Sequence, residues 1–397
     1  MNRVLSSVRR WLGPLTLITL AVVLAIIFGE RRERAKLASP TFQSPLPSLS
    51  PTIKSPLPTM PPVQTRPYST PTPLPNQGVW VGPVSEVTLT GGDITIEALS
   101  SLDLDGDMLV SRASVRGGGV SVVAVDLRTG QVQRLSPVAE RSIEGPRISG
   151  QYVAWSEYPL QMDNVGELHV FDLTRTREFT VGQGLFHWPD LNDGLLVWQE
   201  GRGGGIGIYG YDLATNRTLT IAQGPFLHSF PRVCSRQWVI YLKQGLPEHW
   251  PSIVDLYAYN LLTGEDILIG QVLLPRNASA GQQHACDGRR IAWLGVRETD
   301  ATLTFEQHLY DLATRTDRIL DLPNPGAAHH VLIEDDLLIS MVGYDLQRDV
   351  PFNVLWGLPL DQITGGQLAL SNNRLAWTTQ PYGGSQHLYT AFIIRQP

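Results

Sequence analysis

Cysteine and recognisable catalytic motifs are scarce in this sequence. Its 397 residues include 2 cysteines, too few to indicate the redox compartment of the protein. G-x-S-x-G, H-E-x-x-H and Walker sequences are absent, which argues against the serine hydrolases, zinc proteases and P-loop NTPases that depend on them. The region 102–377 also lacks a long 3.6-residue apolar period, so we expect strands rather than helices there.

One short phrase recurs along this region: a small polar pair, then apolar residues that end in an aromatic or small residue. Its seven copies are 105–111, 149–155, 192–198, 235–241, 287–293, 334–340 and 371–377. Their last residues are 37 to 52 positions apart. Such a period with strand-like units predicts a β-propeller, in which each blade packs only against its neighbours.

Most copies are followed by an alternating strand that ends in Asp or Asn before a turn, as at Asp126, Asp172 and Asp212. We interpret this residue as structural, because its side chain can bond the backbone two residues further on. Each unit then supplies four short strands. We therefore expect an all-β, seven-bladed β-propeller over 79–397, with six blades as the alternative. Residues 84–89 would close the ring as the outer strand of the last blade.

Residues 197–213 form the most regular copy, V-W-Q-E-G-R-G-G-G-I-G-I-Y-G-Y-D-L. This copy resembles the TolB-type propeller repeat, V-W-x-D-x-R-x-G-x-x-D-I-Y-x-Y-D-L, and differs from it at Glu200 and Gly207. The resemblance implies a propeller that serves as a docking or ligand-binding platform. It constrains the activity very little, because similar repeats occur in envelope proteins, surface proteins and peptidases.

The N-terminal region predicts a tether. After a basic segment at 1–10, residues 11–29 carry no charge and are long enough to span a bilayer. We expect a transmembrane helix that acts as a signal anchor, with a cleaved signal peptide as the alternative. Residues 30–78 predict a disordered Pro/Ser/Thr-rich stalk, since 40–77 contain 12 prolines. We expect the propeller on the extracytoplasmic side of the cell membrane, because long domains translocate largely regardless of flanking charge.

Charge limits the partners. Residues 1–78 hold nine basic and two acidic residues, a balance of +7, so the whole-chain charge of −6 leaves −13 for the remainder. An acidic domain argues against binding to nucleic acid or to an anionic lipid surface. We expect a monomer that contacts the membrane only through 11–29 and binds a protein or glycan ligand.

The two cysteines fall at or near an apolar inner-strand position of neighbouring units. We expect Cys234 and Cys286 to be two separate buried side chains. A disulfide between adjacent blades is the alternative, and it needs Cα atoms within about 7 Å.

Histidines precede the inner strands of four successive units. His187 and Trp188 precede the third copy of the phrase, His228 the fourth, His284 the fifth and His330 the sixth. In a propeller these connections meet at one mouth of the channel, where neutral imidazoles could hold a divalent metal. Packing or solvent exposure is the alternative. We predict that any ligand site lies at these five residues.

The sequence favours a binding protein over an enzyme. We predict a membrane-tethered, extracytoplasmic β-propeller that acts as a protein- or glycan-binding platform, with no catalytic residues and no required cofactor. The alternative is a metal-assisted polysaccharide lyase or hydrolase with the histidines at the channel mouth.

Overall fold

The computed structural model describes residues 78–159, 165–202, 205–244, 252–274, 283–299, 302–322, 331–340, 343–352, 354, 368–379 and 386–396. All of them lie in Pro67–Pro397, one of the two compact units into which the chain divides. No helix among these residues is long and apolar enough to cross a membrane. The predicted basic segment, membrane span and stalk up to residue 77 lie outside them.

The described strands are numbered in chain order. The first are β1 Val79–Val81, β2 Ser85–Glu86, β3 Ile96–Asp105, β4 Met108–Val115, β5 Val120–Asp126, β6 Val132–Arg134, β7 Arg141–Ser149, β8 Tyr152–Pro159, β9 Gly166–Asp172 and β10 Arg177–Gly184. The next are β11 Phe186–Asn192, β12 Leu195–Arg202, β13 Gly205–Asp212, β14 Arg217–Ala222, β15 Leu227–Val233, β16 Trp238–Gln244, β17 Ser252–Asn260, β18 Asp266–Leu274, β19 His284–Cys286 and β20 Arg290–Thr299. The last are β21 Thr302–Asp311, β22 Thr316–Leu320, β23 Leu332–Glu334, β24 Leu337–Ile339, β25 Gly343–Asp345, β26 Val350–Phe352, β27 Leu368–Ser371, β28 Arg374–Thr379 and β29 His387–Arg395.

Antiparallel pairing of consecutive strands produces four-stranded groups. The groups are β3–β6, β7–β10, β11–β14, β15–β18, β19–β22, β23–β26, and a last group of β27–β29 with N-terminal strands. In each group the repeated phrase supplies the turn after the first strand and then the second strand. This order explains why the phrase opens with small polar residues and continues with apolar ones.

Neighbouring groups pack face to face through apolar side chains. Val110 of the first group packs in one cluster with Trp155 of the second. Leu109 of the first group packs in another cluster with Leu388 of the last. Because the first group contacts both the second and the last, the groups form a ring. The predicted all-β propeller is confirmed, and the groups are called blades below, in chain order.

The Asp that ends the third strand of a blade shapes the following turn. Asp126 Oδ1 accepts hydrogen bonds from the backbone N–H groups of Arg128 (2.8 Å) and Thr129 (3.3 Å). Asp172 and Asp212 make the same pair of bonds in the next two blades. The series is structural, as the sequence predicts.

Two N-terminal strands close the ring. Both β1 and β2 pair with β29, and Val79 lies opposite Arg395. The prediction that 84–89 supplies the outer strand of the last blade is therefore correct about β2, and it misses β1. The segment that pairs with β29 begins at Val79 in β1, before residue 84, and β2 ends at Glu86, before residue 89. Thr90 then bridges Gln131 of the first blade.

Cys234 and Cys286 form a disulfide between the fourth and fifth blades, with Cα atoms 5.0 Å apart. The expectation of two separate buried side chains is wrong. Cys234 follows β15 and Cys286 ends β19. Equivalent ends of neighbouring innermost strands therefore approach within the distance that a disulfide can span.

Candidate binding site

A bulge interrupts the innermost strand of four successive blades, where its register with the second strand shifts. In the third and fourth blades the bulge contains Trp188 (φ 54°) and Phe230 (φ 52°). Each is followed by proline and then by a charged residue, Asp190 or Arg232. Bulky residues seldom adopt positive φ, and such conformations concentrate at functional sites.

The charged residues that follow these bulges face one another from blade to blade. Arg147 Nε donates a hydrogen bond to Asp190 Oδ1 (3.1 Å), and Arg232 Nη1 donates to the same oxygen (2.8 Å). In the first blade Asp103 Oδ2 accepts a hydrogen bond from the backbone N–H of Ile148 (2.8 Å). Acid and base thus alternate over four neighbouring strands. We call these four side chains the charged row.

Burial shifts the protonation equilibria of the charged row. It raises the pKa of Asp103 to about 6, although the positive charge of Arg147 opposes the shift. Burial, followed by repulsion from Arg147, lowers the pKa of Arg232. Buried charges of this kind are tolerated because they are paired with one another and with backbone N–H groups.

The charged row lines a central cavity of about 280 Å³. Residues of β3, β7, β11, β15, β19, β23 and β27 contribute to its wall. Segments 331–334 and 368–371 contribute mostly apolar side chains to the wall, such as Val331, Ile333, Leu368 and Leu370, together with Glu334 and Ser371. The cavity therefore combines a charged wall with a mostly apolar one.

The first residue of the repeated phrase joins each of several blades to the next. Asp105 Oδ2 accepts a hydrogen bond from the backbone N–H of Gly150 (2.5 Å), and Ser149 Oγ accepts one from Asp193 (3.0 Å). Ser371 Oγ of the last blade binds the backbone of the first in the same way. These bonds lie at the carboxyl ends of the innermost strands, beside the cavity.

Glu334 occupies the corresponding position in the sixth copy of the phrase. Its Oε1 accepts a hydrogen bond from Ser371 Oγ (3.2 Å), and the backbone N–H of Asn372 also bonds the carboxylate. Burial nevertheless raises the pKa of Glu334 to about 7. This carboxyl group therefore changes charge near neutral pH.

Two of the predicted site residues lie at the surface. His187 Nδ1 is 3.3 Å from Glu144 Oε2 and 3.4 Å from the Tyr158 hydroxyl. The His187 ring also stacks on Tyr158, with centroids 5.3 Å apart. Trp188 is 37% exposed and packs on Phe230, with centroids 4.7 Å apart.

Two further predicted residues, His228 and His284, are buried. His228 Nδ1 lies 3.0 Å from the carbonyl oxygen of Ile206, and burial lowers its pKa. His284 Nε2 lies 2.9 Å from the carbonyl oxygen of Phe230. Burial, helped by the charge of Arg232, lowers the pKa of His284 to about 4. Both rings are neutral at pH 7, and each bonds a backbone carbonyl.

The structure brings some of the predicted residues together. Trp188 and His284 both contact Phe230, while His330 lies outside the described residues. Within the described part of the chain, no three His, Cys, Asp or Glu side chains are grouped so that they could hold a metal ion. His284 lines the central cavity, whereas His187, Trp188 and His228 do not.

Exposed apolar side chains collect at one edge of the propeller. First and third strands of the blades begin at this edge, which we call the loop face. Nine large apolar side chains are exposed among the described residues, and five of them lie at the loop face of the second to fourth blades. These five are Val165, Leu185, Trp188, Phe226 and Ile253.

A lysine extends the aromatic surface of the fourth blade. Lys243 Nζ lies 4.9 Å from the centroid of Phe226 and 4.8 Å from that of Tyr257. Such cation–π contacts hold an ammonium group against aromatic rings.

The charged row was not predicted from the sequence, although a signal was present. Three innermost strands carry proline directly before a charged residue, at Pro146-Arg147, Pro189-Asp190 and Pro231-Arg232. Proline lacks the N–H that strand pairing uses, so it marks a bulge inside a strand. A bulge that recurs in successive blades and is followed by a charged residue indicates that this side chain points toward the central axis of the propeller.

No protein-family model and no curated protein matches this sequence. Solved structures do match. The β-propeller domain of the trilobed protease from Pyrococcus furiosus aligns at 12% identity and a TM-score of 0.55, over 77% of this chain and 97% of that one. The chain has a β-propeller fold. An oligogalacturonate lyase in complex with manganese aligns at 14% identity and a TM-score of 0.53, over 78% and 93% of the two chains.

TolB from Acinetobacter baumannii also matches, at 11% identity and a TM-score of 0.39, over 73% of this chain and 66% of that one. Likeness at these identities concerns the fold alone. The propeller fold implied by the TolB-type repeat is confirmed. The activities named for these solved structures are not transferred to this chain.

Proposed function

We propose that this protein is a membrane-tethered, extracytoplasmic β-propeller of seven blades whose loop face binds a protein or glycan partner. The exposed apolar side chains of the loop face carry the proposal. Among the described residues, five of the nine exposed large apolar side chains share this edge. Apolar patches of this kind mark interaction sites on soluble domains.

The blade number is supported by the cavity. Its wall contains residues of β3, β7, β11, β15, β19, β23 and β27, each the first strand of one group. Seven first strands around one cavity favour seven blades over the six-bladed alternative.

The position where the chain enters the propeller supports a platform role for the loop face. Gly78 precedes β1, and β1 runs antiparallel to β29, with Val79 opposite Arg395. Since β29 begins at the loop face, β1 begins at the opposite edge, which we call the entry face. The chain therefore enters the described propeller at the entry face and not at the loop face.

The disulfide supports an extracytoplasmic location. Disulfides persist in oxidising compartments and are rare where thiols are kept reduced. The Cys234–Cys286 bridge therefore agrees with a propeller outside the membrane.

Photo-crosslinking tests the platform. A benzophenone side chain replaces Phe226 on the loop face, and a matched control replaces Leu262, which is 76% exposed in the turn after β17 at the entry face. We expect covalent adducts of defined mass in cells from position 226 and none from position 262. Equal adducts from both positions, or none from 226, would contradict the proposal.

A metal-assisted polysaccharide lyase or hydrolase is the second candidate. It draws on His187, which lies at the loop face 3.3 Å from Glu144. The test is bound manganese or zinc in the wild type and in the His187→Ala, His284→Ala double variant. Stoichiometric metal that the variant loses would favour the enzyme, and absence of metal from both proteins would exclude the histidine site.

A further inference from the structure

We infer that the loop face of the second to fourth blades binds a polypeptide segment in which basic residues flank apolar ones. The inference rests on the proposed platform and names the chemistry of its partner. It follows from the aromatic contacts between these blades, the rigidity of their backbone and the charges that surround them.

Aromatic contacts join the second blade to the third and the third blade to the fourth. Tyr158 of the second blade stacks on His187 of the third. The next residue, Trp188, packs on Phe230 of the fourth blade. Phe226 lies four residues before Phe230 and carries Lys243 over its ring. A strip of this kind can accept several side chains of an extended segment.

The strip is held rigidly at its centre. Trp188 and Phe230 both occupy positive-φ bulges and are followed by prolines that fix the backbone. Their rings are 4.7 Å apart. Rigid aromatic side chains lose little conformational entropy on binding, and such residues dominate the energetics of protein interfaces.

Negative charge borders the strip. Glu144 faces the Nδ1 atom of His187 at 3.3 Å. Glu167, beside the exposed Val165, accepts a hydrogen bond from the Gln183 amide (2.8 Å) and lies 3.4 Å from His169 Nε2. Among the described residues, neither Glu144 nor Glu167 forms an ion pair with an arginine or a lysine.

The basic residues near the strip are engaged by other groups. Arg202 donates to both carboxylate oxygens of Glu200 (2.5 and 2.7 Å), and Arg141 donates to Glu157 (2.5 Å). Lys243 lies against two aromatic rings. The two arginines are thereby paired, whereas Lys243 keeps its positive charge over the rings. Glu144 and Glu167 exceed Lys243 by one, so the charges named here leave a weakly negative local field, in keeping with the −13 balance of residues 79–397. It attracts a basic partner and repels an acidic one.

Binding of synthetic probes to the full chain in phosphatidylcholine nanodiscs tests the inference. The probes are a peptide that alternates Leu and Trp with Lys, its counterpart with Glu in place of Lys, and the neutral glycan cellohexaose. We expect the Lys peptide to bind and the Glu peptide not to bind. Trp188→Ala and Phe226→Ala should each weaken the Lys peptide at least about tenfold, while Leu262→Ala changes nothing. Glu144→Gln with Glu167→Gln should flatten the dependence of binding on salt.

The outcomes separate the inference from the platform. Equal binding of the Lys and Glu peptides, no binding of the Lys peptide, or binding that neither Trp188→Ala nor Phe226→Ala weakens overturns the inference. If cellohexaose binds and Trp188→Ala abolishes its binding, the platform stands and its partner is a glycan. If neither the Lys peptide nor cellohexaose depends on Trp188 or Phe226, the inference and the loop-face platform both fail.

Discussion

Arg232 Nη1 lies 2.8 Å from Asp190 Oδ1 across the boundary between the fourth and third blades. Arg147 of the second blade donates to the same oxygen at 3.1 Å. The backbone N–H of Val233 donates to the other oxygen of Asp190 at 2.8 Å. One carboxylate, 8% exposed, thus joins three neighbouring blades at the wall of the cavity.

Replacing Asp190 should strongly destabilise the propeller. Asp190→Ala removes the shared partner of two guanidinium groups whose side chains are 18% and 20% exposed, and we expect it to lower the free energy of unfolding by about 3 kcal/mol. Asp93→Ala is the matched control, because Asp93 pairs with Arg134 at the surface (2.8 Å) and should cost less than about 1 kcal/mol. Urea unfolding of both variants checks this, and equal losses would contradict the role of Asp190.

Reduction of the disulfide should lower stability. Cys234 and Cys286 are separated by 52 residues, and closing a loop of that length stabilises the folded state by about 4 kcal/mol in the chain-entropy model. We expect dithiothreitol to lower the melting temperature of the wild type and to leave a Cys234→Ala, Cys286→Ala variant unchanged. A wild type that is insensitive to reductant would argue against the bridge.

Glu334 should make stability depend on pH. Its folded pKa is about 7, above the ordinary value of 4.5, so the folded protein holds this proton more tightly than the unfolded chain does. The resulting stabilisation is complete below about pH 4.5 and is lost as the pH rises through about 7. Glu334→Gln keeps a neutral side chain, so the variant should gain stability over the wild type as the pH increases. Parallel stability–pH curves for the two proteins would refute this assignment.

Ring closure should depend on the two N-terminal strands. Deleting residues 78–87 removes β1 and β2 and leaves the outer edge of β29 unpaired, so we expect a lower melting temperature for the whole propeller. A deletion of similar length at 44–53, within the Pro-rich segment, is the control. A melting temperature that the first deletion leaves unchanged would disprove closure by this segment.

Local sequence patterns predicted the propeller well. The repeated phrase indicates strands, and the Asp that follows indicates turns. Both kinds of structure are determined largely by residues that are close together in the sequence. The same locality explains the error over Cys234 and Cys286. Their pairing depends on the distance between the carboxyl ends of two innermost strands. That distance cannot be read from the spacing of the cysteines along the chain.

The candidate site was predicted less well for a related reason. Four histidines at similar positions in their repeats suggested a shared mouth, but burial differs from blade to blade. His187 reaches the surface, whereas His228 and His284 turn inward to backbone carbonyls. The offsets of the histidines from the repeat differ by several residues, and bulges redirect the innermost strands of the third and fourth blades, so a place before the inner strand does not give equal placement.

Proteolysis of intact cells tests whether the propeller lies outside the membrane. A protease is added to intact cells that express the full chain, and the fragments are identified by mass spectrometry. We predict cleavage within residues 38–78 and release of a soluble fragment that carries the disulfide, while residues 11–29 stay with membranes after carbonate washing. Cleavage that requires access from the cytoplasmic side, or a mature protein recovered free in solution that begins beyond Gly29, would contradict a tethered extracytoplasmic platform.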